Sequence, residues 1–88
     1  MRTVERFEDK TERAVIIIGF DPEECLVDVV ARFRLGGFAF PARPCASFRE
    51  ALERTLAYIE RKNYDGSSGI IRAIQERIDD LKQAKLFE

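Results

Sequence analysis

The chain has 88 residues, and its composition limits what kind of protein it can be. Hydrophobic residues make up 45% of the chain and charged residues 35%, which predicts a single globular domain over residues 1–88. The formal net charge of −1 gives no overall attraction to nucleic acid or to an anionic membrane. With no histidine and only two cysteines, no metal site and no cofactor are expected, and the commonest proton-transfer side chain is missing.

The compartment is inferred from the apolar segments of the chain. The longest apolar run, Ala14 to Phe20, is far shorter than the roughly 20 residues that span a bilayer. The first residues, Met-Arg-Thr-Val-Glu-Arg, lack the apolar stretch of a secretory signal. We therefore expect a cytoplasmic protein with two free thiols and no association with membranes.

Three segments of the chain have the composition of strands. Ala14 to Phe20 is rich in β-branched residues and is followed by Asp21-Pro22, which predicts a strand. Because this run does not alternate apolar with polar residues, we expect a central strand that is covered on both faces. The polar stretch Thr3 to Glu8 could pair with it as a hairpin. Phe38 to Phe40, followed by Pro41, predicts a short strand at an edge.

The residues after the central strand predict a first helix. Asp21, Pro22 and Glu24 have the order of an N-cap, a first-turn proline and a capping-box acid. Apolar residues then recur at spacings of three and four, and Gly36 is placed to end the helix in a left-handed conformation. The inward-facing residues of this helix are expected to be Cys25, Leu26, Val29, Val30 and Phe33.

Two further helices are predicted in the second half of the chain. Ser47 and Glu50 form a capping box, and the apolar stripe behind them predicts a helix to about Lys62. After a short break, a third helix is expected from Ser68 to Leu86, so that the two form a helical hairpin. The predicted fold is therefore α+β, with a small two- to three-stranded sheet packed against three helices in the order β(β)αβαα.

The most unusual composition lies between Asp28 and Glu50. This stretch contains no acidic residue but holds four arginines and four phenylalanines. Guanidinium groups interleaved with aromatic rings can bind phosphate and stack on bases, or bind an acidic peptide. Alternatively, the arginines pair along a helix and complement its dipole, while the phenylalanines belong to the core. The predicted binding residues are Arg34, Arg43, Arg49, Phe38 and Phe40.

Three functions are compatible with these residues. The leading interpretation is a non-catalytic binding or adaptor module that acts through the basic and aromatic surface around residues 32–49, with an acidic protein partner. The alternative is a regulatory protein that binds nucleic acid through the same surface. A second alternative is a small enzyme that uses Cys45 or carboxylates. Because each candidate nucleophile lacks a neighbouring base, no catalytic residue is predicted and the balance is against an enzyme.

The predicted arrangement also leaves apolar surface uncovered. Two helices in a hairpin would cover one face of the sheet, and the first helix, roughly 20 Å long, would cover only part of the other. Val27, Leu35 or Phe38 would then stay exposed. We therefore expect a homodimer, since twofold contacts are the commonest way to bury such surface.

Overall fold

The computed structural model describes residues 2–86, with side chains described through residue 83. Four strands and two helices follow one another along the chain: β1 Thr3–Asp9, β2 Ala14–Asp21, β3 Leu26–Phe33, β4 Gly36–Pro44, α1 Phe48–Lys62 and α2 Ser68–Leu86. The strands form one antiparallel sheet in the order β1-β2-β3-β4, so each strand pairs with the next along the chain. The fold is α+β, but the predicted order β(β)αβαα, with three helices and a two- to three-stranded sheet, is wrong.

The predicted first helix is instead a turn followed by strand β3. Asp21 does cap the backbone, because its Oδ1 accepts hydrogen bonds from the amides of Glu23 and Glu24 at 2.9 and 3.2 Å. The cap closes a turn and not a helix, since Cys25 has a left-handed φ of 54° and Leu26 begins β3. Cys25, which was expected to be buried, is exposed in this turn.

Burial along β3 alternates with a period of two. Val29 is 6% exposed, whereas its neighbour Val30 is 49% exposed, although the helical interpretation turned both inward. The β-branched residues of this segment favour a strand, and its backbone pairs with β2 on one side and β4 on the other. The inward-facing residues of β3 are Val27, Val29, Ala31 and Phe33.

Both helices pack against one face of the sheet. Ile16, Ile18 and Phe20 of β2 are buried in the same core as the apolar faces of α1 and α2. Side chains alternate across a strand, so Val15 and Ile17 point to the opposite face, where they are half-buried. Strand β2 lies between β1 and β3, as expected of a central strand. The prediction that helices cover both of its faces is wrong.

The two outer strands contain the other two segments that were predicted as strands. Strand β1 pairs with β2 from Thr3 opposite Phe20 to Asp9 opposite Ala14, which confirms the hairpin. Strand β4 contains the predicted Phe38–Phe40 segment and lies at an edge, where Pro41 need not donate to a neighbouring strand. Gly36, expected to end a helix, has a φ of 134° and opens β4.

Both C-terminal helices have the predicted starts. The Glu50 amide donates to Ser47 Oγ at 3.1 Å, which confirms the predicted cap of α1. Asn63 ends α1 with a left-handed φ of 53°. Helix α2 begins at Ser68 and packs against α1, as the predicted hairpin requires. Within the described part of the chain, neither helix is long and apolar enough to cross a membrane.

The position of the helices leaves strand β4 less covered than the others. Helix α1 contacts β2 and β3, and α2 contacts β1 and β2. Phe38 and Phe40 of β4 lie on the helix side of the sheet but stay half-buried, because neither helix is centred over this strand. The offset between α1 and β4 leaves a cleft between them.

Candidate binding cleft between strand β4 and helix α1

A cleft of about 500 Å³ lies between β4 and α1, and we call it the β4–α1 cleft. Its apolar part comes from the core of the sheet and from α1, because Val27, Val29 and Ala51 are all buried residues that reach it. Two aromatic rings and three arginines form most of the remaining lining. These residues are Phe40 and Arg43 of β4 with Arg54, Tyr58 and Arg61 of α1.

The aromatic residues of the cleft hold one another in place. The rings of Phe40 and Tyr58 meet edge to face, with centroids 4.8 Å apart and an interplanar angle of 81°. The Phe38 ring packs against both rings, with its centroid 5.0 Å from that of Phe40 and 4.6 Å from that of Tyr58. Each such pair contributes about 0.5–1.5 kcal/mol beyond the area it buries. The aromatic wall is therefore formed before any ligand binds.

The same ring cluster continues toward the β3–β4 turn. Tyr64 stacks on Phe33 with centroids 4.6 Å apart and an interplanar angle of 12°. The pKa of Tyr64 is raised, first because burial disfavours the phenolate and then because of the neighbouring Tyr58 phenol. The Tyr64 phenol therefore stays neutral at physiological pH.

Two of the three arginines are available to bind an anion. The guanidinium carbon of Arg43 lies 4.6 Å from the centroid of Phe40, and that of Arg61 lies 5.5 Å from the centroid of Tyr58. Among the residues with described side chains, neither arginine has a carboxylate within ion-pair distance. An exposed cation–π contact is worth only about 0.5–1 kcal/mol, so the guanidinium donors can still bind a carboxylate.

Arg54, the third arginine, has a structural role. It donates to the carbonyl of Pro44 at 2.7 Å and to Glu50 Oε1 at 2.9 Å, and so holds the segment that connects β4 to α1. The pKa of Glu50 is lowered, mainly because its carboxylate accepts a hydrogen bond from the Ala46 amide and also because of Arg54. The charge of Arg54 is therefore already balanced.

The structure divides the predicted binding residues into two groups. Arg43, Phe38 and Phe40 lie together on β4, with Phe40 and Arg43 lining the β4–α1 cleft. Arg34 lies in the β3–β4 turn and donates to Glu12 Oε2 at 2.8 Å. Arg49 is in the first turn of α1, where its Nε lies 3.3 Å from Glu53 Oε1.

The residues that α1 contributes were missed in the sequence analysis. Arg54, Tyr58 and Arg61 lie outside the stretch between Asp28 and Glu50 that attracted attention. A signal for them was present, because spacings of four and three place side chains on one face of a helix. The core stripe of α1 was identified, but the polar and aromatic stripe beside it was not.

The thiol considered for catalysis is poorly suited to it. Cys45 is 3% exposed, and its Sγ donates to the carbonyl of Ser47 at 3.3 Å. Burial raises the pKa of the Cys45 thiol, which disfavours the reactive thiolate. Across the described residues, no group of three or more acidic or cysteine side chains is arranged to hold a metal ion.

Comparison with protein-family models, with curated proteins and with solved structures finds no match to this chain. The cleft combines a buried apolar part, a preformed aromatic wall and two arginines that face no carboxylate of the described chain.

Proposed function

We propose that the chain is a non-catalytic binding module whose β4–α1 cleft takes an acidic segment of a partner protein. The observation that carries this proposal is the position of Arg43 and Arg61. Each lies over an aromatic ring at the cleft and has no carboxylate partner among the described side chains. A carboxylate on the ligand would supply that partner, and guanidinium groups bind carboxylates with two parallel hydrogen bonds.

The apolar part of the cleft favours a ligand that also has an apolar side chain. Ligand pockets typically enclose about 300–1,000 Å³ and combine an apolar lining with a few polar groups. The β4–α1 cleft has this size, and Val27, Val29 and Ala51 supply the apolar lining. An aliphatic or aromatic side chain of the partner would fill it, with acidic residues on either side reaching the two arginines.

The surroundings of the cleft favour a peptide over nucleic acid. Binding to nucleic acid depends on a continuous basic track that neutralises several phosphates. Here α1 also carries the exposed carboxylates of Glu53 and Glu60, which line a separate hollow shared with α2, and the whole chain has a formal net charge of −1. A short acidic segment needs only the local positive charge of Arg43 and Arg61.

Selection from phage-displayed random dodecapeptides tests the ligand class without assuming a sequence. We expect enriched peptides to carry aspartate or glutamate on both sides of an apolar residue. Enrichment of basic peptides, or no enrichment, would contradict the proposal. A single-stranded oligothymidine that bound more tightly than the best peptide would instead support the nucleic-acid function.

A matched pair of variants then locates the binding site. Arg43→Ala should weaken binding of the selected peptide about tenfold or more, because a hydrogen bond to a charged group contributes about 1.5–3 kcal/mol. Arg34→Ala is the control, since Arg34 is also exposed but pairs with Glu12 outside the cleft. Fluorescence anisotropy gives both affinities, and thermal melts check folding. Equal affinities for the two variants would refute the site.

A further inference from the structure

Strand β4 has a free backbone edge on the side that faces away from β3. It is the last strand of the sheet, and apart from its ladder with β3 no backbone hydrogen bond among the described residues involves Gly36–Ala42. Farther along the strand, the Pro44 carbonyl accepts a hydrogen bond from Arg54 at 2.7 Å, so the free segment ends before Pro44. An unpaired strand edge is a template on which one more strand can pair.

The opposite edge of the sheet, strand β1, is protected against such pairing. Charged side chains occupy Glu5, Arg6 and Glu8, and charges are a common means of blocking a strand edge. Arg77 of α2 also donates to Glu5 at 2.9 Å and so covers β1 from the helix side. The segment Gly36–Ala42 of β4 carries no charged side chain, so β4 is the edge that remains open to pairing.

The register of β4 shows which of its backbone groups face outward. Phe33 and Gly36 pair on either side of a two-residue turn. The pair that flanks such a turn exchanges its backbone hydrogen bonds, and the bonded pairs then alternate along an antiparallel ladder. Gly37, Ala39 and Pro41 therefore direct their backbone groups away from β3. Pro41 has no amide hydrogen, which suits a position that faces outward.

The side chains that border this free edge belong to the β4–α1 cleft. Phe38 and Phe40 pair with Ala31 and Val29, which are buried on the helix side of the sheet. A strand added beside β4 would direct every second side chain to the same side of the sheet. Those side chains would enter the cleft next to Phe40 and Tyr58, while the residues between them would point to the opposite face.

The spacing of the two available arginines suits an extended ligand. Contacts of 4.6, 4.8 and 5.5 Å in series link the Arg43 guanidinium through the rings of Phe40 and Tyr58 to the Arg61 guanidinium. In a strand, two acidic residues placed four positions apart lie on one face and are separated by about 13 Å, which is within the length of this series. The apolar residue midway between them would lie on the same face.

We propose, building on the proposed function, that the acidic partner segment binds as a fifth strand along Gly37–Pro41 of β4. Backbone hydrogen bonds to Gly37 and Ala39 hold the segment, and alternate side chains give specificity, as in other cases of strand addition. An apolar residue enters the β4–α1 cleft, and acidic residues two positions before and after it bind Arg43 and Arg61. The recognised pattern is therefore acid-x-apolar-x-acid in an extended chain.

A methylation scan of the best selected dodecapeptide tests the extended conformation. Methylating one backbone nitrogen at a time removes an amide hydrogen and places a methyl group where a neighbouring strand would lie. Fluorescence anisotropy should show affinity losses of about tenfold or more at every second residue of the binding segment, and much smaller losses at the residues between them. Losses at spacings of three and four, which indicate a bound helix, or equal losses at adjacent residues would overturn strand addition.

Amide hydrogen exchange tests the edge of β4 in the wild-type chain. With the unmethylated peptide at saturation, exchange at Gly37 and Ala39 should slow by about tenfold or more, because their amides gain acceptors. Arg6 on β1 is the matched control, and its exchange rate should not change. A peptide whose affinity depends on Arg43 but which leaves Gly37 and Ala39 unchanged would overturn strand addition and leave the proposed function standing. The absence of any binding peptide would overturn both.

Discussion

Replacing Val29 or Val30 with alanine tests whether residues 26–33 form a strand with only one buried face. The two valines are adjacent in β3, but Val29 is 6% exposed and Val30 is 49% exposed. Truncating Val29 to alanine removes two buried methyl groups, and each contributes about 0.8 kcal/mol to stability. The cavity that remains lowers the stability by about 1 kcal/mol more. We therefore expect Val29→Ala to lower the free energy of unfolding by about 2.5 kcal/mol.

Val30→Ala should lower the free energy of unfolding much less than Val29→Ala does. About half of its side chain is already in contact with water, and no closed cavity forms, so we expect a loss of about 0.8 kcal/mol. The lower strand propensity of alanine affects both positions and largely cancels in the comparison. Urea denaturation followed by circular dichroism gives both values. Equal losses would refute the strand, because a helix would turn both valines inward.

Three further predictions concern capping, acid stability and thiol reactivity. Ser47→Ala should lower the free energy of unfolding by about 0.5–2 kcal/mol, because the Glu50 amide loses its hydrogen-bond acceptor. Asp21→Ala should lower the free energy of unfolding by a similar amount, because the Glu23 amide loses its acceptor in the turn. Thermal melts measure both losses. Since the pKa of Glu50 is lowered in the folded chain, its stabilising effect is present above the ordinary glutamate pKa and is lost as the pH falls through the lowered value. The difference in melting temperature between wild type and Glu50→Gln should therefore be largest near neutral pH and vanish in acid. Ellman's reagent should modify exposed Cys25 quickly in the native chain and buried Cys45 only after unfolding; rapid modification of both thiols in the native chain would contradict the described burial.

Local signals were sufficient for strand β2 and for both helices. Ile16 and Ile18 lie in a run too apolar and too β-branched for a solvated segment, and Ser47 starts a stripe with a clear helical period. In these segments, the preference of each residue and the spacing of apolar residues favour the same structure.

Residues 22–35 were misassigned because the same residues satisfy two patterns. Asp21 and Pro22 can begin a helix or close a turn, and the Asp21 carboxylate accepts amide hydrogen bonds in either case. Val29 and Phe33 face inward with a period of four, which is both a helical spacing and twice the spacing of a strand. Pairing with β2 decides between the two, and that pairing lies outside the local sequence.

The candidate site could be predicted only in part for a similar reason. Phe40 and Arg43 are close in sequence and lie on one strand, so composition alone was enough to draw attention to them. Tyr58 and Arg61 reach the same cleft from α1, and their approach depends on where that helix lies over the sheet. The lateral position of a helix on a sheet is a property of tertiary packing, which a single sequence does not encode in any short motif.

Backbone amide shifts during an NMR titration with the best selected peptide test the central claim most directly. The proposed function predicts saturable shifts that cluster at Phe40, Arg43, Tyr58 and Arg61, around the β4–α1 cleft. Saturable shifts centred on the face of the sheet opposite the helices, around Val30, or no saturable shift at any concentration of the peptide, would contradict the claim that this cleft is the binding site.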